Sequence, residues 1–421
     1  MTPAARLAAA LAALPQGAPQ RIGVAVSGGG DSMALLHLLA DWARGNACDL
    51  AVVTVDHGLR PEAADEAALV QQAARNLNLP HDILRWTDAD GDSGNLAARA
   101  RTARLDLIAG WARQRGIAQV ALAHTRDDQA ETVLLRLARG SGVDGLSAMA
   151  PNRPDAARGV TWLRPLLQVR RAELRDELTR RDQSWAEDPS NADRRFDRVR
   201  ARALLADPPL PGLEVDRLAE TATRMAAARA VLADLAVTAA ARLAGSEAGV
   251  LHLDAAGLAD LPDETRWRLL SGALCTIAGT AYRPRLSALQ QADAQAAAGK
   301  VAALHGCLLV PARGRLWITR EPSALPPEPL PVSLWDGRWK IEGAFDPEII
   351  VAPLGEPGLA RFPQWREMGL PFAVAQALPG LWWDGDLLAA PAVPGAQTGA
   401  PQWRATAQSR LTAFAAVLKP D

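Results

Sequence analysis

An α/β fold, a doubly wound parallel sheet, is predicted for the first half of this 421-residue chain, followed by a helical domain and a small β-rich C-terminal domain. Three observations predict it. Short apolar runs alternate with amphipathic stretches of helical length over roughly the first 200 residues, which is the pattern of strand, crossover helix, strand. The polar residues of chemical interest fall just after the apolar runs, where ligands of such sheets bind. Proline-rich stretches, "DPPLPG" (Asp207–Gly212) and "EPSALPPEPLP" (Glu321–Pro331), separate this half from two later segments. The expected domains are 1–208, 213–320 and 331–421.

The elements are justified in chain order. "MTPAARLAAALAALPQG" reads as a short helix ended by Pro15, without the basic start and cleavage site of a secretory signal. Buried strands are expected at Arg21–Val26, Asp49–His57, Asp82–Trp86 and Gln119–His124, with crossover helices at Ser32–Arg44, Pro61–Leu77, Asn95–Arg115 and Asp127–Arg139. Past residue 212 the periodicity is helical over Glu214–Leu243 and Asp263–Ala278. The last segment is dense in proline, glycine and tryptophan, and Trp335, Trp339, Trp382 and Trp383 are expected to form its core rather than a base-stacking platform.

Composition narrows the function classes. Apolar residues make up 49% and charged residues 22% of the chain, with a net charge of -1, as in cytoplasmic globular proteins without a membrane role. Cys48, Cys275 and Cys307 are too scattered for a disulfide framework or a CxxC pair and are expected to be buried. Nearly all cations are arginine, and no lysine precedes Lys300. A Walker A loop, which needs Gly-Lys-Ser/Thr, is therefore excluded from the first domain.

Its place is taken by "RIGVAVSGGGDSMALL" (Arg21–Leu36). Gly28, Gly29 and Gly30 let backbone amides approach phosphate oxygens at the start of a helix, and Ser27 and Ser32 add hydroxyls. Asp31 stands where a phosphate loop keeps its cation. Asp56 and His57 end the second strand and His124 the fourth, and "HTRDDQAET" (His124–Thr132) places Asp127, Asp128 and Glu131 at the start of a helix. Those acids are candidates for metal binding or substrate orientation, with simple capping of the helix as the alternative.

The loop resembles the SGGxDS signature of the PP-loop ATP pyrophosphatase superfamily (its N-type ATPase fold), whose members cleave ATP between the α and β phosphates. That resemblance implies ATP as cosubstrate and accounts for Asp31: with Asp127 it would hold Mg²⁺, which neutralises the departing pyrophosphate. Six stretches in order, "SGGGDS", "VDHGLR", "ARARTARLDLI", "HTRDDQAET", "RGSGVDGLSAM" and "DPSNADRRFDRVRARALL", look like the tRNA(Ile)-lysidine synthetase family. The match is strong over residues 21–205 and weak beyond 322. Where that family has a glutamate and a tyrosine, this chain has Ala97 and Leu105, while Arg101 and Arg104 remain.

The family resemblance implies ATP-dependent ligation of free L-lysine onto C2 of the wobble cytidine of the CAU-anticodon tRNA(Ile), through an adenylated tRNA. Asp31, Asp127, Asp128 and Glu131 are the catalytic candidates. Ser27, Gly28, Gly29, Gly30, Asp31, Ser32, Asp56 and His57 would hold ATP. Arg101, Arg104, His124, Arg194, Arg198, Arg200 and Arg202 would contact substrate or RNA, with ion pairs to Asp193 and Asp197 on a solvated helix as the alternative for the last group. A homodimer stays open. The rival reading is a tRNA thiolation enzyme of the same superfamily, which usually needs cysteines for sulfur relay or an iron-sulfur cluster.

Overall fold

The computed structural model describes the chain except residues 16, 18, 57–62, 87–95, 188–194, 333, 344–345, 397–402 and 420–421, and the side chains of residues 63 and 96–98. The chain folds as two compact units, residues 1–229 and 230–420. Their division falls inside a long helix, Val215–Leu243, and the prolines of 207–212 lie within the first unit. The domain limits expected at 208 and 331 remain proposals.

In the first unit the order is α1 (Pro3–Ala12), β1 (Arg21–Ala25), α2 (Gly30–Asn46), β2 (Asp49–Asp56), α3 (Ala63–Asn76), β3 (His81–Arg85), α4 (Leu96–Gln114), β4 (Gln119–Ala121), α5 (Arg126–Leu137), α6 (Val143–Leu146), β5 (Asn152–Asp155), β6 (Val160–Leu163), α7 (Arg171–Arg180) and α8 (Asp197–Ala206). The four expected strands and four expected crossover helices are all present. The sheet runs β3-β2-β1-β4-β6-β5. Every pair is parallel except β5 with β6. Strand order reverses between β1 and β4, so the crevice beyond their carboxyl ends is the place for a ligand.

Alternation along the strands explains the two covered faces. In β2, Leu50 and Val52 join a core with Leu7 and Leu11 of α1, Leu35 and Leu38 of α2 and Leu174 of α7. Their neighbours Ala51 and Val53 join the opposite core, with Ile108, Trp111 and Ala112 of α4. Glycine in β1 serves this second face: a Cβ on Gly23 would lie 2.8 Å from Trp111 Cζ3, so the bare strand lets the indole lie against the sheet. Trp111 Nε1 then donates to Asp82 Oδ2 at 2.7 Å.

The second unit carries antiparallel sheets. Ala244–Glu247, Val250–Asp254, Arg315–Arg320, Cys307–Ala312 and Ala302–Leu304 form a five-stranded sheet in that order. It packs with Asp263–Ala278 and Leu286–Ala297 around Leu269, Leu274, Leu289 and Ile318. The helical periodicity over 214–243 and 263–278 is thus realised, whereas the strands between and after those helices were not foreseen. Six further strands make the β-rich part: Glu328–Pro329, Ile350–Pro353, Pro379–Trp383 and Asp386–Ala389 in one sheet, and Trp339–Gly343 paired with Trp403–Ala407.

Its tryptophans divide. Trp335 and Trp339 are buried in the core as expected, Trp382 is half-buried against it, and Trp383 is 47% exposed, which corrects the expectation for that residue. Trp383 is the last residue of its strand, beyond a register shift between Leu381 and Trp382, and its exposed ring donates through Nε1 to Glu348 Oε2 at 3.1 Å. The three cysteines are buried and unpaired with one another. No described helix is long and apolar enough to cross a membrane.

Candidate active site

The loop between β1 and α2 has the geometry of an anion cradle. Gly28 takes φ +85, and Gly29 caps α2 in extended conformation without a side chain in the way. A Cβ on Gly28 would lie 3.2 Å from Glu66 Cβ and 3.3 Å from its carbonyl oxygen, so both the φ angle and the space require glycine. Ser32 ties the turn: its hydroxyl donates to the Gly29 carbonyl at 2.8 Å and accepts from the Ser27 N–H at 3.1 Å. The Gly28 carbonyl in turn accepts from the Ala186 N–H at 2.9 Å. The helix start keeps free amides and the positive end of the α2 dipole for an anion.

This loop lines a cleft of about 630 Å³ at the switch point between β1 and β4. Ser27, Gly29, Gly30, Asp31 and Ser32 meet there with His124 and Asp128, and with Arg101, Arg104, Arg198 and Arg202. Gly28 shapes the turn from behind. Asp56 ends β2 outside the cleft lining, and Asp127, Glu131 and Arg200 also stand outside it. His57 and Arg194 lie outside the described residues.

The acidic end of the cleft is organised by a residue that sequence patterning did not single out. Arg171, the first residue of α7, donates through Nε to Asp31 Oδ2 at 2.9 Å, through Nη2 to Asp128 Oδ1 at 3.2 Å and through Nη1 to Glu131 Oε1 at 3.3 Å. Its backbone N–H donates to Asp127 Oδ2 at 2.8 Å. Arg202 from α8 adds a second ion pair to Glu131 at 3.0 Å. A signal for Arg171 existed in the sequence: "QVRRAEL" sets two arginines at a helix N-terminus, where the dipole favours acids.

Asp128 does two jobs. It forms a capping box with Thr125, accepting from that residue's N–H at 2.8 Å and its hydroxyl at 2.9 Å, and it faces Arg171. Capping therefore accounts for part of Asp128 and, at the start of α7, for one oxygen of Asp127, but not for Glu131. Burial would raise the Asp128 carboxyl, but Arg171, His124 and the Thr125 bonds outweigh it and hold it below the ordinary range. Asp31 goes the other way: burial pushes it up, Arg171 opposes, and the charges of Asp128 and Asp127 add to the rise. The buried Glu131 keeps Oε2 without a partner.

A group of arginines shares the cleft. Arg101, Arg104 and Arg198 have no acidic partner among the described residues. Burial, then the like charges of Arg101 and Arg198, disfavour the charged form of Arg104. His124 lines the same cleft, with Nδ1 buried and unpartnered. Burial holds it neutral, with Arg164, Arg101 and Arg198 adding to that effect against Asp128. Arg200 is instead paired with Asp197 on the α8 surface.

A metal cage is not preformed: among the described residues no group of three or more His, Cys, Asp or Glu is arranged to hold an ion. Mg²⁺ in nucleotide sites is commonly held by one or two carboxylates plus phosphate oxygens. Asp31 fits that mode, because it stands beside the glycine turn with only Oδ2 engaged by Arg171.

Residues 3–207 match the family described as a PP-loop domain. A tRNA(Ile)-lysidine synthase from Ruegeria pomeroyi is 45% identical over 374 residues, which cover 89% of this chain and 88% of that one. The chain belongs to the tRNA(Ile)-lysidine synthase family. A second tRNA(Ile)-lysidine synthase, from Rhodopseudomonas palustris, is 45% identical over 65% of this chain and 80% of its own. A third, from Wolbachia pipientis, is 35% identical over 79% and 80%. Membership of the lysidine synthase family makes the chain an ATP-using enzyme, and its cleft suits that: a lysine-free phosphate cradle lies beside one acidic and one basic cluster.

Proposed function

We propose that this chain ligates free L-lysine onto C2 of the wobble cytidine of the CAU-anticodon tRNA(Ile), releasing AMP and pyrophosphate. The observation that carries the reading is the charge division of one cleft. The glycine turn shares the cleft with the carboxylates Asp31 and Asp128, tied together by Arg171, and with Arg101, Arg104 and Arg198, which have no acidic partner among the described residues; Glu66 and Glu187 also line it. A cationic nucleophile and a polyanionic nucleic acid can meet over ATP only in a site of that kind.

The cytidine O2 attacks the α phosphorus, an O–P bond forms, the bond to the β-phosphate bridge breaks, and pyrophosphate leaves. The chain's part is to hold the reactants in line, with Gly28–Ser32 on the phosphates and the arginines on the RNA backbone. Asp31, beside the glycine turn, would hold Mg²⁺, which when bound would supply neutralisation of charge on pyrophosphate. The lysine amine then attacks C2, and AMP departs with the former O2. Asp128, in the cleft wall, holds the ε-ammonium with Glu131 behind it, and these carboxylates take the proton that the amine sheds before it attacks.

The thiolation alternative finds no support in the cysteines. None lines the cleft, and burial pushes the thiols of Cys48 and Cys307 up to about 11, away from the reactive thiolate. The deciding experiment supplies ATP, labelled lysine and unmodified CAU-anticodon isoleucine tRNA to the purified protein. Label on the RNA with stoichiometric AMP supports the proposal; incorporation from sulfide but not from lysine overturns it.

A further inference from the structure

Arg171 has no role in the proposed reaction as written, yet it touches more of the acidic cluster than any other side chain of the cleft. It bridges the start of α2, through Asp31, to the first turns of α5, through Asp128 and Glu131. Three carboxylates against the two guanidiniums of Arg171 and Arg202 leave one net negative charge. One carboxylate oxygen of that set, the buried Glu131 Oε2, has no partner.

The three contacts of Arg171 differ in length: 2.9 Å to Asp31, 3.2 Å to Asp128 and 3.3 Å to Glu131. Charge-assisted hydrogen bonds are strongest when short. An entering cation can therefore take Asp128, which lines the cleft, from the guanidinium while its tie to Asp31 stays intact. A primary ammonium has three donors on a compact head. It suits the Asp128 carboxylate in the cleft wall, which Arg171 holds through a single Nη.

We infer that Arg171 is the positioning residue of this reaction and the provisional occupant of the ammonium seat. Before substrate arrives it keeps Asp31, Asp128 and Glu131 together; when the lysine ε-ammonium enters it surrenders Asp128 and remains on Asp31. The inference rests on the lysine-ligating reading, and it makes Arg171 a competitor of the substrate it prepares for.

The test compares Arg171→Met and Arg171→Lys with the unaltered protein in lysine ligation, reading kcat and the KM for lysine and for ATP separately, with a thermal melt of each. Removing one positive charge adds to the pull on a cation and to the repulsion of triphosphate. Arg171→Met is expected to lower the lysine KM at least tenfold, raise the ATP KM at least tenfold and reduce kcat. Arg171→Lys, which keeps the charge but not the fork, is expected to hold both KM values within threefold of the unaltered protein with an intermediate kcat. Lysine and ATP KM values that stay fixed, or that rise together, in a variant that melts within a few degrees of the original overturn the inference. Should Arg171→Met fail to fold, a lysine KM for Arg171→Gln equal to or above that of the unaltered protein overturns it as well. Failure of the unaltered protein to attach lysine to RNA would instead sink the underlying reading, whatever the variants do.

Discussion

Gly28→Ala is the perturbation whose consequence is tied most directly to coordinates. Gly28 stands at φ +85, and a Cβ there meets Glu66 Cβ at 3.2 Å and the Glu66 carbonyl at 3.3 Å. A non-glycine residue in left-handed backbone costs about 1–2 kcal/mol, and contacts that tight require the neighbour to move by a few tenths of an ångström. The Glu66 carbonyl belongs to α3 and the Gly28 carbonyl is anchored by the Ala186 N–H, so neither side yields freely. The total is about 2 kcal/mol. If the fold bears it, the unfolding free energy falls by that amount; if the turn shifts to relieve it, nucleotide affinity falls about thirtyfold. Gly29→Ala is the control, because Gly29 sits at φ -70 and its Cβ would meet nothing closer than Ser27 Oγ at 3.7 Å. Urea unfolding and calorimetric titration with a non-hydrolysable ATP analogue measure both quantities on both variants. Gly29→Ala should keep its stability, so any loss of affinity there comes from the phosphate side. A Gly28→Ala protein with unchanged stability and unchanged affinity refutes the argument that the turn is built for close approach of phosphate.

Glu131→Ala removes one of three ion pairs of Arg171 and the Arg202 pair and leaves a buried gap, and urea unfolding should register a loss of roughly 2–4 kcal/mol; Glu131→Gln should recover most of the stability while lysine transfer stays low. Arg104→Met and Arg198→Met remove cations with no acidic partner among the described residues, so melting temperatures should hold while RNA affinity, measured against salt, loses about one unit of slope per arginine. For His124 the folded value lies below the unfolded one, near 6.5. The unfolded chain then binds the extra proton first, and stability drops as pH falls below about 6.5. His124→Gln should flatten the fall in unfolding free energy between pH 6.5 and 4 relative to the unaltered protein; identical slopes would count against a neutral buried His124.

Strands β1, β2 and β4 were legible because each is a buried run of β-branched and aliphatic residues bounded by polar turns; β3, expected to be buried, is instead a half-exposed edge strand with Ile83 41% exposed, and was legible only from its place in the strand-helix rhythm. β6 escaped because "VTWL" (Val160–Leu163) is short and lies outside the strand-helix rhythm. The five-stranded sheet of the second unit was hidden for a related reason: its strands sit between strong helical periodicities that mask them. At the site, the glycine turn and the acids of α5 declare themselves in sequence, since φ freedom and first-turn carboxylates are local properties. Arg171 does not, because its role arises from contacts with residues 140, 43 and 40 positions away. The arginines of α8 share one pattern in the sequence and separate in three dimensions into Arg198 facing the cleft, Arg202 holding Glu131 and Arg200 paired at the surface with Asp197.

The central claim is that a lysine-free glycine turn, aided by Asp31, moves adenylate onto RNA. It is tested most directly by incubating the protein with α-labelled ATP and unmodified isoleucine tRNA, omitting lysine, and resolving the quenched products. The account predicts label on the RNA, pyrophosphate in solution, and loss of both in Asp31→Ala. Release of ADP and orthophosphate, or full labelling by Asp31→Ala, would contradict it.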